Sequence, residues 1–459
     1  MVLFKNDVSE FVGPAHGAPI RLVVTFRPVS GSSDRFDVEA RLSGVEGVTR
    51  GQFVARSEWN YATSPMAAST SMVSEQARAK VGTQLFSELF SGGLSRSWAQ
   101  AIDRRRKRGL LIVIRSSSPA VQGLPWELLS DPSATSTSYV SFDAGMSIIR
   151  QLLPADPELA AELEKPLEPV PQQRVRLLAI TTRIPGLDQG ADPAIMREAF
   201  PEARLHHIPD ASPKEILESL ERDEAHVVHL MGTGRPTRSG LQDMVAGTGG
   251  PADTVPAKSL ARSLHTSEQL RLLVLAACNT DQLASQLATR TRAVVGIRGK
   301  ISDDGVRAFL RGLYFALASG ATIPQAVASG RAQQISFSPS AGDEWSQAVL
   351  FLNADGPIVE ASTREPEPVA AAAVPNAGSG LPEETTATNL MLVIKQANLA
   401  ALREQWDAVE GSDTPAFVQD QIDALARDIG PKRHAGSAAR AGTTGRGTAG
   451  RGATGGAAT

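Results

Sequence analysis

The sequence predicts an α/β protein: a mostly parallel sheet with helices on both faces, preceded by a smaller α/β region. Three observations predict it. From Arg174 onward, short apolar runs recur without polar alternation, as in strands buried on both faces. Between them lie stretches with helical spacing and capping residues, and such alternation implies parallel strands joined by helical crossovers. Before Arg174 the strand-like stretches are separated by Gly/Ser turns and by one long helical stretch.

The elements follow in order. Residues 1–153 form the N-terminal region. There Ile20–Phe26 (IRLVVTF) and Phe36–Leu42 (FDVEARL) read as strands, and Ser71–Phe90 reads as an amphipathic helix capped by Ser71 or Ser74. Gly109–Ser116 (GLLIVIRS) is a further strand, followed by GLPWELLSDP and SIIRQL. Residues 154–173 are charged and proline-punctuated, the composition of a surface linker.

Residues 174–356 carry the regular alternation. Strands are read at RVRLLAITT, RLHHIP, HVVHLMG, LRLLVLAAC, AVVGIRG and AVLFLN, with helices between them. Ser212 and Ser302 are helix N-caps, and Gly320 stops the last long helix. Residues 357–388 form an Ala/Pro-rich linker. Residues 389–430 read as a helical hairpin. Leu392, Leu399 and Trp406 share one stripe, and Val418, Ile422, Leu425 and Ile429 share another. Residues 431–459 are a Gly/Ala/Arg tail that cannot bury a core.

Composition narrows the function classes. A chain of 459 residues with 42% apolar residues can bury a sizeable core. A net charge of -3 gives no pull toward nucleic acid or an anionic membrane. A single cysteine excludes an internal disulfide framework, and no Cys/His cluster suggests zinc, so neither metal nor cofactor is expected. No N-terminal apolar run resembles a signal peptide, and none has the ~20 residues of a membrane helix. The expectation is a cytoplasmic protein whose partner or substrate is a protein or peptide. The oligomeric state is left open.

In parallel α/β sheets, catalytic groups gather beyond the carboxyl ends of the strands. Two such ends stand out. One is the turn Gly232-Thr233-Gly234; the other is Cys278, the only cysteine. A cysteine peptidase needs a thiolate, a base that takes its proton, and donors for the oxyanion. If the two strands are neighbours, the amides of Gly234 and Cys278 would form the oxyanion pocket. Taken alone, Cys278 also suits a small buried residue closing a strand, or a thiol redox sensor.

Five segments carry a resemblance. They are GLPWELLSDP, VVHLMGTG, LVLAACNT, the stretch Val294–Gln333, and WSQAVLFL, in that order. From about Leu85 to Leu352 the sequence resembles the CHAT family of caspase-like, mostly bacterial proteins. The resemblance implies a caspase-like sheet with Cys278 in the nucleophile position. Relatives act in bacterial signalling, stress or antiphage defence, often beside partner-binding domains, a role the helical hairpin would fill here.

The family's turn is Gly-His-Gly, with histidine as the base; this chain has Thr233 in its place. An ordinary thiol is only a few per cent ionised near neutral pH. Losing positioned acid–base help costs about 10²–10⁴ in rate. The histidines are His16, His206, His207, His226, His229, His265 and His434. His229, four residues before Thr233 and inside the strand, is a candidate substitute base, but a strand-interior histidine there fits a packed or hydrogen-bonded core role better. Asp303 and Asp304 fit the first turn of a helix, and Asp303 also suits an acidic pocket for a basic side chain. Arg104–Gly109 reads as a solvated helix end. The resulting expectation is a weakened or catalytically silent cysteine peptidase that acts by protein binding. The alternatives are an active, regulated cysteine endopeptidase with a non-standard base, and a thiol redox sensor.

Overall fold

The computed structural model describes residues 18–59, 75–105, 108–133, 139–143, 145–152, 154–182, 190–236, 242–246, 253–265, 269–299, 301–337 and 344–360. The expected hairpin at 389–430, the tail at 431–459, His16 and His434 lie outside the described residues.

The N-terminal elements are β1 (Ile20–Pro28), β2 (Arg35–Leu42), β3 (Thr49–Val54), α1 (Glu75–Leu89), α2 (Leu94–Arg105), β4 (Leu110–Arg115), α3 (Pro119–Gln122) and β5 (Met146–Gln151). Next come α4 (Pro157–Glu164), β6 (Arg176–Ile180), α5 (Ala191–Ala199), β7 (Arg204–Ile208), α6 (Pro213–Arg222) and β8 (Val227–Leu230). Three short strands follow: β9 (Thr233–Pro236), β10 (Gln242–Val245) and β11 (Thr254–Val255). The chain continues with α7 (Ala257–His265), β12 (Leu272–Leu275), α8 (Asp281–Leu287), β13 (Ala293–Ile297), α9 (Asp303–Ala318), α10 (Ile323–Phe337) and β14 (Ala348–Leu352).

Eleven strands form one sheet in the order β3-β2-β1-β4-β5-β14-β13-β12-β8-β6-β7. Seven of its ten neighbouring pairs are parallel. The antiparallel pairs are β2–β3, β1–β2 and β13–β14. The fold class expected from the sequence is therefore observed: a large, mostly parallel sheet with helices, and an antiparallel N-terminal β region. One sheet runs through both parts, because β5 pairs with β14 at Arg150 and Phe351.

Period-two geometry explains the layers. Along β12, Leu272 and Val274 face a core shared with α5, α9 and α10, whereas Leu273 and Leu275 face α6, α7 and α8. In β4, Leu111 and Val113 join the first of these cores, and Leu110, Ile112 and Ile114 pack under α1 and α2. Both faces are covered, so these strands are continuously apolar; each buried Leu or Val contributes about 1.5–3 kcal/mol of transfer free energy.

Local chemistry sets the helix ends. The Ser212 side chain accepts from the Glu215 amide while the Glu215 side chain accepts from the Ser212 amide, a capping box worth about 1 kcal/mol. The Ser302 hydroxyl accepts from the Gly305 amide at 3.1 Å. Gly320 takes φ +85 just past α9, where a side chain would be strained. The α9 and α10 helices cross closely because Gly312 lacks a side chain: a Cβ there would stand 2.6 Å from the Ser329 carbonyl oxygen.

Candidate functional site

Strands β8 and β12 are parallel neighbours, with Leu230 opposite Leu275. Both carboxyl ends therefore emerge side by side. Beyond β8 the chain passes through Gly232 into β9, the edge strand of a separate three-stranded sheet with β10 and β11. A Cβ at Gly232 would meet the Met244 side chain at 3.0 Å and the Val245 carbonyl oxygen at 3.1 Å, so glycine lets the turn pack closely against β10.

Cys278 lies past the end of β12, half-buried against the α9 side of the core. Its turn is laced by main-chain contacts. Asn279 takes φ +56, the left-handed region open to few residues other than glycine and asparagine. Its amide donates to the Gly299 carbonyl at 2.9 Å, and the Thr280 amide donates to the Ile297 carbonyl at 2.7 Å. The buried Thr280 hydroxyl donates to the Ala277 carbonyl and accepts from the Ile297 amide, both at 2.9 Å.

The two turns expected to face each other do meet: the Gly234 amide donates to the Cys278 carbonyl at 3.3 Å. This corrects one detail. The Gly234 amide is directed at the cysteine's own main chain, so in this arrangement it is not a free oxyanion donor. The Cys278 amide, by contrast, has no hydrogen-bond partner among the described residues. Thr233 opens β9 as a half-buried residue opposite Val245.

The sulfur's one polar contact among the described residues is the Ile301 carbonyl oxygen, at 3.7 Å. A carbonyl oxygen is an acceptor, so it can take the S–H hydrogen but cannot remove the proton as a base would.

His229, the candidate substitute base, is engaged elsewhere. It sits opposite Val274 inside the sheet, four residues short of the turn, and period two points it toward α5 and α9. Nδ1 contacts the Tyr314 hydroxyl at 2.8 Å and Nε2 contacts Asp192 at 3.1 Å. Both nitrogens are engaged in a fully buried network, the packed role that the sequence favours. Burial, with the Asp192 carboxylate nearby, holds the Tyr314 hydroxyl well above its ordinary range.

The other described histidine side chains, His206, His207 and His226, also have partners other than the sulfur. His206 pairs with Asp223 at 2.9 Å, and His207 contacts the Thr181 hydroxyl at 3.0 Å. The His226 Nδ1 accepts from the Arg176 amide at 3.0 Å. The His265 side chain lies outside the described residues. Asp303 is exposed in the first turn of α9, two residues beyond Ile301; Asp304 beside it is 3.7 Å from Arg307.

One group of residues went unnoticed in the sequence. Glu127, wholly buried, gathers Arg150, Arg298 at 3.9 Å and Arg331 at 3.6 Å. Burial alone would raise its carboxyl pKa, but these guanidiniums, Arg150 first, hold it down to about 2. The Pro-Trp-Glu run in GLPWELLSDP was the available signal. Among the described residues, no three His, Cys, Asp or Glu side chains converge as a metal site, and no helix is long and apolar enough to cross a membrane.

Residues 79–351 match the family model described as "CHAT domain". No curated protein matches the chain. Among solved structures, a chain of the Saccharomyces cerevisiae separase–securin complex aligns with TM-score 0.40 and 10% identity, covering 72% of this chain and 30% of that one. A second structure of that complex aligns with TM-score 0.38, 10% identity and the same coverages, 72% and 30%. A structure described as "Structure of Protease" aligns with TM-score 0.38 and 10% identity over 62% of this chain and 69% of that one. The chain thus spans 30% of the length of the separase-complex chains. TM-scores this low carry no functional argument.

Proposed function

Because the chain belongs to the CHAT domain family, by the match over residues 79–351, we propose that Cys278 occupies the nucleophile position of a cysteine-peptidase site that lacks its base. On this reading the protein acts by binding a protein or peptide in bacterial signalling or defence, with little or no cleavage. The supporting observation is the sulfur's surroundings: a carbonyl oxygen at 3.7 Å, and no contact with any described histidine side chain. Thr233, in the turn bonded to Cys278 through Gly234, offers a hydroxyl, which is no base near neutral pH. A basic side chain of a bound peptide would meet Asp303.

One observation favours an active, regulated endopeptidase instead. The Cys278 amide, without a hydrogen-bond partner among the described residues and in a half-buried turn beyond a strand end, is the kind of donor an oxyanion needs. Labelling with an electrophilic peptidyl probe separates the two readings. Wild type is expected to label no faster than free cysteine, and Cys278→Ala not at all. Wild-type labelling far above free cysteine, lost in Cys278→Ala, would instead identify an activated nucleophile.

A further inference from the structure

The Cys278 turn hangs on the segment that follows β13. Gly299 accepts the Asn279 amide, Ile297 accepts the Thr280 amide, and Arg298 lies between them. The Arg298 backbone is itself fixed, since its amide donates to the Gln347 carbonyl at 2.8 Å. Its guanidinium is buried and spans two places far apart in the chain. On one side it donates to the Leu124 carbonyl at 3.0 Å and lies 3.9 Å from Glu127. On the other, its Nε lies 3.8 Å from Asp281, the first residue of α8 and three residues past Cys278.

Glu127 is shared unequally. Arg150 holds it from β5 and Arg331 from α10, yet neither of these arginines has a contact with residues 278–281. Arg150 also acts on Asp281 through its charge, but of the three cations around Glu127 only Arg298 lies within 4 Å of the start of α8. Arginine suits this role because its planar fork bonds in several directions at once, whereas a lysine ammonium makes a single point contact.

We infer that Arg298 is a positioning residue for the Cys278 turn, coupling it to the Leu124–Glu127 segment that precedes β5. The inference deepens the reading of Cys278 as the functional centre and rests on it. It makes the N-terminal elements part of the site's support: a shift of the Leu124–Glu127 segment would reach the thiol through one side chain.

The test uses the full chain, in which Cys278 is the only cysteine, so that iodoacetamide consumption reports one site. Alkylation rates are measured from neutral to alkaline pH for wild type, Arg298→Lys and Arg331→Lys, each with its thermal melt. Both variants weaken a contact to Glu127. Arg298→Lys is expected to alkylate roughly tenfold faster, because losing the hydrogen bond to Leu124 and the close ion pair with Asp281 lets the turn open locally. Arg331→Lys is expected to stay within about twofold of wild type. Equal rate changes in both variants, or none in a folded Arg298→Lys, would overturn the inference. If Arg298→Lys shows no cooperative melt, Asp281→Asn replaces it: faster alkylation supports the coupling and an unchanged rate overturns it. The readout needs no cleavage. A protein that fails the peptidyl-probe test can still pass this one, and a probe-reactive protein can fail it.

Discussion

The Gly234 amide donates to the Cys278 carbonyl at 3.3 Å, so the turns that follow β8 and β12 are joined main chain to main chain. The close approach at Gly232 sets the path of the first turn. Gly232→Ala would drive a methyl group into Met244 and Val245, and the expected loss is about 1–3 kcal/mol. Urea unfolding measures it; unchanged stability would show that the turn does not need glycine.

On the proposed reading, His229 has a structural role and takes no part in activating the thiol. His229→Ala removes the hydrogen-bond partner of the buried Asp192 and is expected to cost about 1–3 kcal/mol. The Cys278 alkylation rate in the folded state is expected to stay at the wild-type value. A stable variant with slowed alkylation would place His229 in the thiol chemistry after all.

Glu127 makes stability depend on acid pH. Its folded-state pKa of about 2 lies below the ordinary 4.5. The unfolded chain therefore binds its proton first, and the stabilisation is full above about pH 4.5 and is lost as pH falls toward about 2. Glu127→Gln leaves the buried Arg150 and Arg331 without this carboxylate and Arg298 with Asp281 alone, with an expected cost of about 3–5 kcal/mol at neutral pH. Melting curves from pH 7 to 2 should fall less steeply in the variant below pH 4.5; parallel curves would contradict this.

His226 gives a second, higher window. Burial, with Arg271 and Arg176 nearby, lowers its pKa from 6.5 to about 4. The folded state thus resists a proton that the unfolded chain accepts. Its stabilisation is full above pH 6.5 and declines as pH falls to about 4. His226→Asn is expected to flatten the melting temperature over that interval. An unflattened profile would assign the decline to other groups.

Several elements were legible because their signals are local. The apolar run of β4, the Ser212 and Ser302 caps, the Gly320 stop and the apolar runs of β8 and β12 need only neighbouring residues and strand periodicity, whereas the adjacency of β8 and β12 was only a condition. The three-stranded sheet was not legible: β9 and β10 have four residues each and β11 two, too few for a period. Helix α10 was hidden by Gly330 and the lack of a clear apolar stripe. The contact between Arg298 and Leu124 joins residues 174 positions apart, a distance no local pattern spans. The direction of the Gly234 amide depends on that same tertiary closure.

The central claim is that the thiol sits in a peptidase-like turn whose base has been replaced by a hydroxyl. Thr233→His tests it most directly, with fluorogenic peptides as substrates and Thr233→His/Cys278→Ala as control. The expected result is cleavage, or at least faster thiol alkylation near neutral pH, in Thr233→His alone, against an inert wild type. Cleavage by wild type that disappears in Cys278→Ala would contradict the claim.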